Sequence, residues 1–257
     1  MTSKLERSLL DAAGHRAIMV RLLTAAARET GHHVARVFTD WVCAAANALA
    51  AQADDVNKER READYMAIVR RYDRHPEVIR ETFPKLFARC TMALEWKPHD
   101  LLGSLFHELS ANSSHLGQFF TPYEVSRLIS EISWDESFLA TVKEQGYVTI
   151  HEPASGSGGM IIAASETFRR RGLNPQTQLV AHCSDLSAHA VHMTYVQLSL
   201  LGLPALVRHQ NALTLEAFDE LPTWRYSRDL WRYREAAAPL RRIQGGDEPA
   251  VSRFAGD

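Results

Sequence analysis

Tyr147-Val148-Thr149-Ile150-His151-Glu152-Pro153-Ala154-Ser155-Gly156-Ser157-Gly158-Gly159-Met160 is the stretch from which the rest of the chain is read. Tyr147 to His151 is a short apolar run around Val148 and Ile150, as expected of a buried parallel strand. Small residues then turn the chain into Met160-Ile161-Ile162-Ala163-Ala164, which reads as a helix start. Strand, glycine turn and helix make the first unit of a doubly wound sheet, and ligands bind at the carboxyl end of such a strand. Gly156, Gly158 and Gly159 let the backbone turn tightly and leave room for a ligand where a Cβ would stand. The nicotinamide fingerprint needs a third glycine three residues after the second, and Ile161 is there instead. A P-loop needs Gly-Lys-Ser/Thr, and Met160 follows Gly159. Glu152, just before the turn, would repel a phosphate. It suits a ligand with an ammonium group and hydroxyls, and S-adenosylmethionine has both.

Upstream stands Gly117-Gln118-Phe119-Phe120-Thr121-Pro122. With Glu152 to Gly159 it resembles motifs X and I of the amino-methylating DNA methyltransferases. The resemblance is to the modification subunit of type I restriction systems and its phage and plasmid relatives, and it covers roughly residues 100–215. Ser155 stands where that family usually has cysteine, a small-for-small change that leaves the turn intact. The resemblance implies an S-adenosylmethionine-dependent enzyme acting on adenine N6 in DNA. It also implies that the segment at Phe119, Thr121 and Pro122 folds over the cofactor, with the Thr-Pro step reaching its carboxylate end. The local chemistry agrees. Thr121 is a good N-cap, Pro122 suits a first helical position, and free amides at a helix start attract a carboxylate. A helix is expected from about Tyr123 to Ile132.

The 257 residues suffice for one large domain or two small ones, and 46% hydrophobic content provides for a sizeable core. A formal net charge of −2 leaves any contact with DNA to local patches. Cys43, Cys90 and Cys183 lie far apart without metal-ligand spacing and read as reduced thiols of a cytoplasmic protein. No metal is expected. The charged start, Met1 to Arg7, lacks the apolar core of a signal peptide, and Trp41 to Ala51 is too short to span a bilayer.

Residues 1–110 read as helical. Leu9, Leu10, Ala13, Ala17, Val20 and Leu23 recur at helical spacing before Gly31, and a second helix is expected over about His32 to Gln52. A third runs from about Asp54 to Tyr72 with Asp54-Asp55 capping it. Pro76 opens a fourth, and Pro98 separates a short fifth over His99 to Leu109. The resemblance implies a helical region that helps hold DNA and partner subunits; the alternative is a bundle that only packs on the sheet.

After the glycine turn a helix is expected to about Arg171, ended by Gly172. Gln178 to Ser184 reads as a second strand closed by Asp185, whose carboxylate suits both ribose hydroxyls or else caps the next helix. That helix is Ser187 to Leu201. Ala205 to His209 reads as a third strand. Gln210-Asn211-Ala212-Leu213 resembles the family's motif III, which implies that Asn211 takes the cofactor's adenine amine; otherwise it is a loop asparagine.

The family's next motif, Asn/Asp/Ser-Pro-Pro-aromatic, holds the target amine and stacks on the flipped base. The chain has no Pro-Pro. Leu221-Pro222-Thr223-Trp224 lies nearest the expected place without an amide, so the catalytic residues are unassigned. From Glu216 onward no run reads as a buried strand. A three-stranded sheet in order 3-2-1 is therefore expected, and its uncovered first strand implies that another chain covers it, that the tail packs there, or that the gene product is truncated or degenerate. Trp224, Arg225, Tyr226, Arg228 and Arg232, with Trp231, Tyr233 and Arg234, interleave aromatic and basic residues. That pattern suits DNA, a protein interface or simple packing.

The expectation is thus an α/β, Rossmann-like methyltransferase fold with an incomplete sheet, preceded by a helical region. Residues 1–110 form that region, 111–220 bind cofactor through Phe119, Thr121, Pro122, Glu152, Ala154, Ser155, Gly156, Gly158, Asp185 and Asn211, and 221–257 form an aromatic, basic segment and a loose tail. The expected partners are DNA and a second chain that completes the sheet or supplies specificity, with no membrane. The alternative function is a catalytically inactive cofactor- or DNA-binding accessory of a restriction-modification or anti-restriction system.

Overall fold

The computed structural model describes residues 11–110 and 120–244. Its first half is helical: α1 (Ala12–Thr30), α2 (Val34–Ala53), α3 (Lys58–Val69), α4 (Phe83–Trp96) and α5 (Leu101–Ser110). Gly31 ends α1 with φ of 72°, a left-handed cap that glycine adopts without penalty. The third helix begins later than Asp54-Asp55 suggests. Asp54 accepts from the Val56 amide and the Asn57 side chain, so it holds a turn ahead of α3. Before α4 lies a π-helical turn, Val78–Thr82, and Pro84 sits in the first turn of α4, where it donates no amide hydrogen bond.

The second half alternates strands and helices: α6 (Tyr123–Ile132), α7 (Ser137–Gln145), β1 (Val148–Glu152), α8 (Gly159–Arg170), α9 (Pro175–Gln178), β2 (Leu179–Asp185), α10 (Ala188–Leu200), β3 (Ala205–Gln210), β4 (Ala217–Pro222), α11 (Trp224–Arg228) and α12 (Trp231–Gln244). The sheet order is β1-β2-β3-β4. β1 and β2 are parallel with Ile150 beside Ala181, and β2 and β3 are parallel with Cys183 beside Val207.

β4 corrects the expectation of a three-stranded sheet. It runs antiparallel to β3, pairing Val207 with Leu221 and Arg208 with Glu220. An apolar run is the signal of a strand buried on both faces, and β4 is an edge strand. Its first residues, Ala217 and Phe218, are exposed, and only Leu221 and Pro222 are buried. Charge pairing fixes its middle. Asp219 takes Arg61 at 2.5 and 2.8 Å and Arg60 as well, while Glu220 takes Arg208 at 3.0 Å and Arg232. Arg61 is buried, so α3 is anchored to β4 by a desolvated ion pair.

One sheet face carries Ala181, Cys183, Ala205, Val207 and Leu221. It shares a single core with Ile161 and Ile162 of α8, Met193 and Val196 of α10, and Val37, Phe38 and Trp41 of α2. The helical region and the sheet are therefore packed through common side chains. The other face is smaller, with Val180 and Leu206 packing on Tyr147, Tyr226 and Trp231. The three cysteines are free thiols. Among the described residues no helix is long and apolar enough to cross a membrane.

Candidate functional site

The glycine turn is held on three sides. Ser155 N donates to Ser184 O of β2 at 2.9 Å, and Gly158 N donates to Ser155 O at 2.7 Å. Thr194 of α10 donates its hydroxyl to Gly156 O at 2.9 Å. Asp185 Oδ2 accepts from Gly156 N at 2.9 Å and its Oδ1 accepts from Ser187 N at 2.8 Å. Gly156 and Gly158 have φ of 56° and 92°. A Cβ on Gly156 would stand 2.7 Å from the Phe120 ring, and one on Gly158 would stand 3.3 Å from Thr194 Oγ1. Both positions therefore demand glycine for backbone and for space.

The turn opens onto a cavity of about 340 Å³ at the carboxyl ends of β1 and β2, lined by Phe120, Thr121 and Ser126, by residues 154–157, and by Gly159, Met160 and Asp185. That volume falls in the range of small-molecule sites, about 300–1,000 Å³. Two features fit a ligand with hydroxyl and ammonium groups. Asp185 spends one acceptor position of each oxygen on a backbone amide, which leaves each with another. Ser126 is buried and its Oγ has no hydrogen-bond partner among the described residues, although it lies on the cavity wall. Among the described residues no lysine or arginine lines the cavity.

Of the residues expected to bind cofactor, Thr121, Ala154, Ser155, Gly156 and Asp185 come together on the cavity wall. Gly158 supports it from behind through Thr194. Glu152 turns back on its own loop and accepts from Ala154 N at 3.1 Å. Helix α6 starts one residue later than the Thr121 cap predicts. Pro122 is the N-cap, and no side chain caps the helix. Phe119 lies outside the described residues. Asn211 Oδ1 accepts from the Leu213 and Thr214 amides at 3.0 and 3.3 Å, so it closes the β3–β4 loop, and it is not on the cavity wall. Asp185 does not cap α10; Ser187 does.

Sequence reasoning did not single out Ser126, or Asp100 beneath the turn. Asp100 is buried, precedes α5, and accepts from Ser157 Oγ at 2.6 Å, Gln197 Nε2 at 2.9 Å and Gly103 N at 2.9 Å. Gln197 also donates to Ser157 O at 2.7 Å. The spacing Asp100-x-x-Gly103 was the available signal, since a Cβ on Gly103 would stand 2.1 Å from Asp100 Oδ2.

Leu221-Pro222-Thr223-Trp224 lies elsewhere. Pro222 pairs with Leu206 near the start of β3, at the end of the sheet opposite the glycine turn. Two strands separate β4 from β1, about 14 Å at the usual strand spacing. Thr223 is spent on structure, taking the Ala205 amide at 3.0 Å and donating to Leu203 O at 2.9 Å.

The aromatic, basic segment packs inward at two of its rings, while Trp224 and Tyr233 are exposed. Trp231 and Tyr226 are buried. Tyr226 and Thr149 donate to Glu235, at 2.9 and 3.3 Å, and His182 Nε2 lies 2.9 Å from it. Burial disfavours the Glu235 charge, but the bonds from His182, Tyr226 and Thr149 outweigh it and hold the carboxyl below its usual range. Arg225 and Arg228 face Asp229, and Arg232 faces Glu220. Arg228 also lies over the Trp224 ring, which is half exposed. Among the described residues one group has metal-binding spacing, Glu29, His75 and Glu77, and it lies on the helical region away from the cavity wall.

Residues 100–226 match the family model described as N-6 DNA Methylase. No curated protein matches the chain. Solved structures similar to it include a modification subunit attributed to a type I restriction enzyme of Vibrio vulnificus YJ016, at 17% identity and a TM-score of 0.40, covering 60% of this chain and 32% of that one. Another is the methyltransferase subunit of a type I restriction-modification system from Streptococcus thermophilus, at 22% identity and a TM-score of 0.36, with the same coverage. The chain spans about a third of the length of these two structures.

Proposed function

We propose that this chain, whose residues 100–226 match the N-6 DNA methylase family model, is the S-adenosylmethionine-binding part of a DNA methyltransferase directed at adenine N6, on a Rossmann-like sheet. The observation that carries the proposal is the cavity itself. A glycine turn at the end of β1, a carboxylate at the end of β2 and Thr121 at the entry to α6 converge on one site with no basic residue in its wall among the described residues. In this reading Asp185 takes the ribose hydroxyls, and the free amides at the start of α6, with the Thr121 hydroxyl, take the carboxylate end. Ser126 Oγ gains the partner it lacks, and Phe120 closes the site against Gly156. When bound, the cofactor supplies an electrophilic methyl group. The chain's own residues bind and orient it, and such positioning is a large part of catalysis in group transfer.

The residues that would hold the acceptor amine lie outside these 257 residues in this proposal. The sequence has no Asn-Pro-Pro-aromatic, and Pro222 is at the wrong end of the sheet. A doubly wound sheet binds ligand where the strand order reverses. Here β1 is an edge strand, and the cavity lies at its carboxyl end. A further parallel strand beside β1, from a partner, would create that reversal and bring its carboxyl end next to Ala154.

Calorimetric titration with S-adenosylmethionine, followed by transfer of labelled methyl groups to genomic DNA, tests both parts. Binding without transfer by the chain alone is the expected result, with transfer gained on adding a partner that carries the missing motif. Absence of binding would overturn the cofactor reading. Transfer by the chain alone would overturn the partner reading.

A further inference from the structure

We infer that Asp100 is an electrostatic positioning residue beneath the cavity, one that makes the site prefer the cationic sulfonium cofactor over its neutral thioether product. The inference rests on the cofactor reading above. Asp100 is 3% exposed, and both its oxygens accept hydrogen bonds, as an ionised carboxylate does. All three donors are neutral: the Ser157 hydroxyl, the Gln197 amide and the Gly103 backbone. Among the described residues no ion pair includes it, and its side chain faces the starts of two helices. Gly103 N in the first turn of α5 donates to it, and Gly159, the first residue of α8, would place a Cβ 3.3 Å from Oδ2. Helix N-termini stabilise a negative charge without cancelling it as a bonded cation would.

The charge is one residue deep. Ser157 and Gly159 line the cavity and touch Asp100 on their other side. Asp185 adds a second carboxylate at the wall, where no lysine or arginine stands among the described residues. A ligand that carries a positive charge in the cavity is therefore favoured over the same ligand without it. S-adenosylmethionine and S-adenosylhomocysteine share every other polar group and differ by the S-methyl group and the positive charge it gives the sulfur. Such a bias would favour release of the product after methyl transfer, a step that limits turnover in many enzymes.

Asp100 also fixes the shape of the turn. Gln197 reaches across from α10 to Asp100 Oδ1 and Ser157 O, and it accepts the Leu102 amide at 3.1 Å. The turn is thus preformed by bonds to α5 and α10, and two roles need separating. Asp100→Asn removes the charge and keeps the size. Ser157→Ala keeps the charge and removes the bond to the turn.

The test is titration of wild type and both variants with each compound, with hydrogen exchange of the Gly156–Gly159 amides in the free protein. Asp100→Asn should weaken S-adenosylmethionine on the order of tenfold, as for a unit charge at the range of a neighbouring residue, and S-adenosylhomocysteine by no more than about twofold. Ser157→Ala should speed exchange across the turn and weaken both compounds alike. Equal weakening of both by Asp100→Asn, or of neither, overturns the inference while leaving the cofactor reading intact. Failure of the wild type to bind either compound overturns both.

Discussion

Replacing Gly156 with alanine tests the site at the point where shape is most constrained. The backbone there has φ of 56°, which costs an L-residue roughly 1–2 kcal/mol. The new methyl would stand 2.7 Å from Phe120 Cδ1, about 1 Å inside ordinary carbon–carbon contact. Phe120 must therefore give way. It is backed by Phe106 and His107, with ring centroids 5.1 and 5.7 Å away, so its freer direction is into the cavity it lines. The expected result is a melting temperature lowered by about 2–8 °C, from about 2–4 °C per kcal/mol in a chain of this size. Cofactor affinity should fall by more than about tenfold, or 1.4 kcal/mol. Calorimetric titration reads the affinity and scanning calorimetry the stability. Phe120→Ala supplies the control. In that background the methyl has no ring to displace, so Gly156→Ala should cost markedly less affinity than in the wild type. An unchanged affinity in Gly156→Ala, or the same loss with and without Phe120, would refute the argument.

Three other outcomes follow from the packing. Burial pushes His192 down to about 4, with His189 adding to the effect. Its folded value lies below the unfolded one, so the neutral form stabilises the fold above about pH 6.5, and on the order of 3 kcal/mol is lost as pH falls to 4. His192→Gln should flatten the stability profile over that window in urea titrations, and an unaltered slope would sink the assignment. Trp231 is fully buried between Tyr147 and the sheet. Trp231→Ala should cost about 3–5 kcal/mol, read as the denaturation midpoint, and a loss under about 1 kcal/mol would mean that α12 does not depend on this anchor. Asp219→Asn leaves the buried Arg61 guanidinium without its carboxylate and should cost about 3–5 kcal/mol. Asp219→Asn with Arg61→Met should recover part of that loss, and a purely additive double variant would argue against the pair.

The parts of the fold that the sequence made legible are those whose signals are local. β1, β2 and β3 are short apolar runs ended by turn residues, and they form within a residue or two of their expected places. Gly31, Gly172 and Gly202 mark helix ends because positive φ is a property of the residue itself. β4 was illegible for the converse reason. It is held by Asp219 on Arg61 and Glu220 on Arg208, contacts between residues 158 and 12 positions apart, and its exposed first half carries no apolar pattern. The interleaved aromatic and basic residues after Thr223 were ambiguous in sequence. A buried Trp231 and an exposed one have the same neighbours in the chain, and only the proximity of Tyr147 separates them.

The site divides along the same line. Gly156, Ser155, Ala154, Asp185 and Thr121 stand out because a turn at the end of a strand, a carboxylate at the end of the next and a proline-led helix are local devices, and all five reach the cavity. The supports that give the turn its shape are not local. Asp100 reaches Ser157 across 57 positions and Gln197 across 97, and Thr194 reaches Gly156 across 38. A glycine-rich turn alone would sample many conformations, since each glycine loses more backbone freedom on folding than any other residue. The turn is therefore ordered by α5 and α10, and its shape depends on residues that its own sequence does not contain. The same five residues moved to another strand–helix junction would reproduce the motif and lose the site, unless an acceptor like Asp100 and a bridging amide like Gln197 were carried with them.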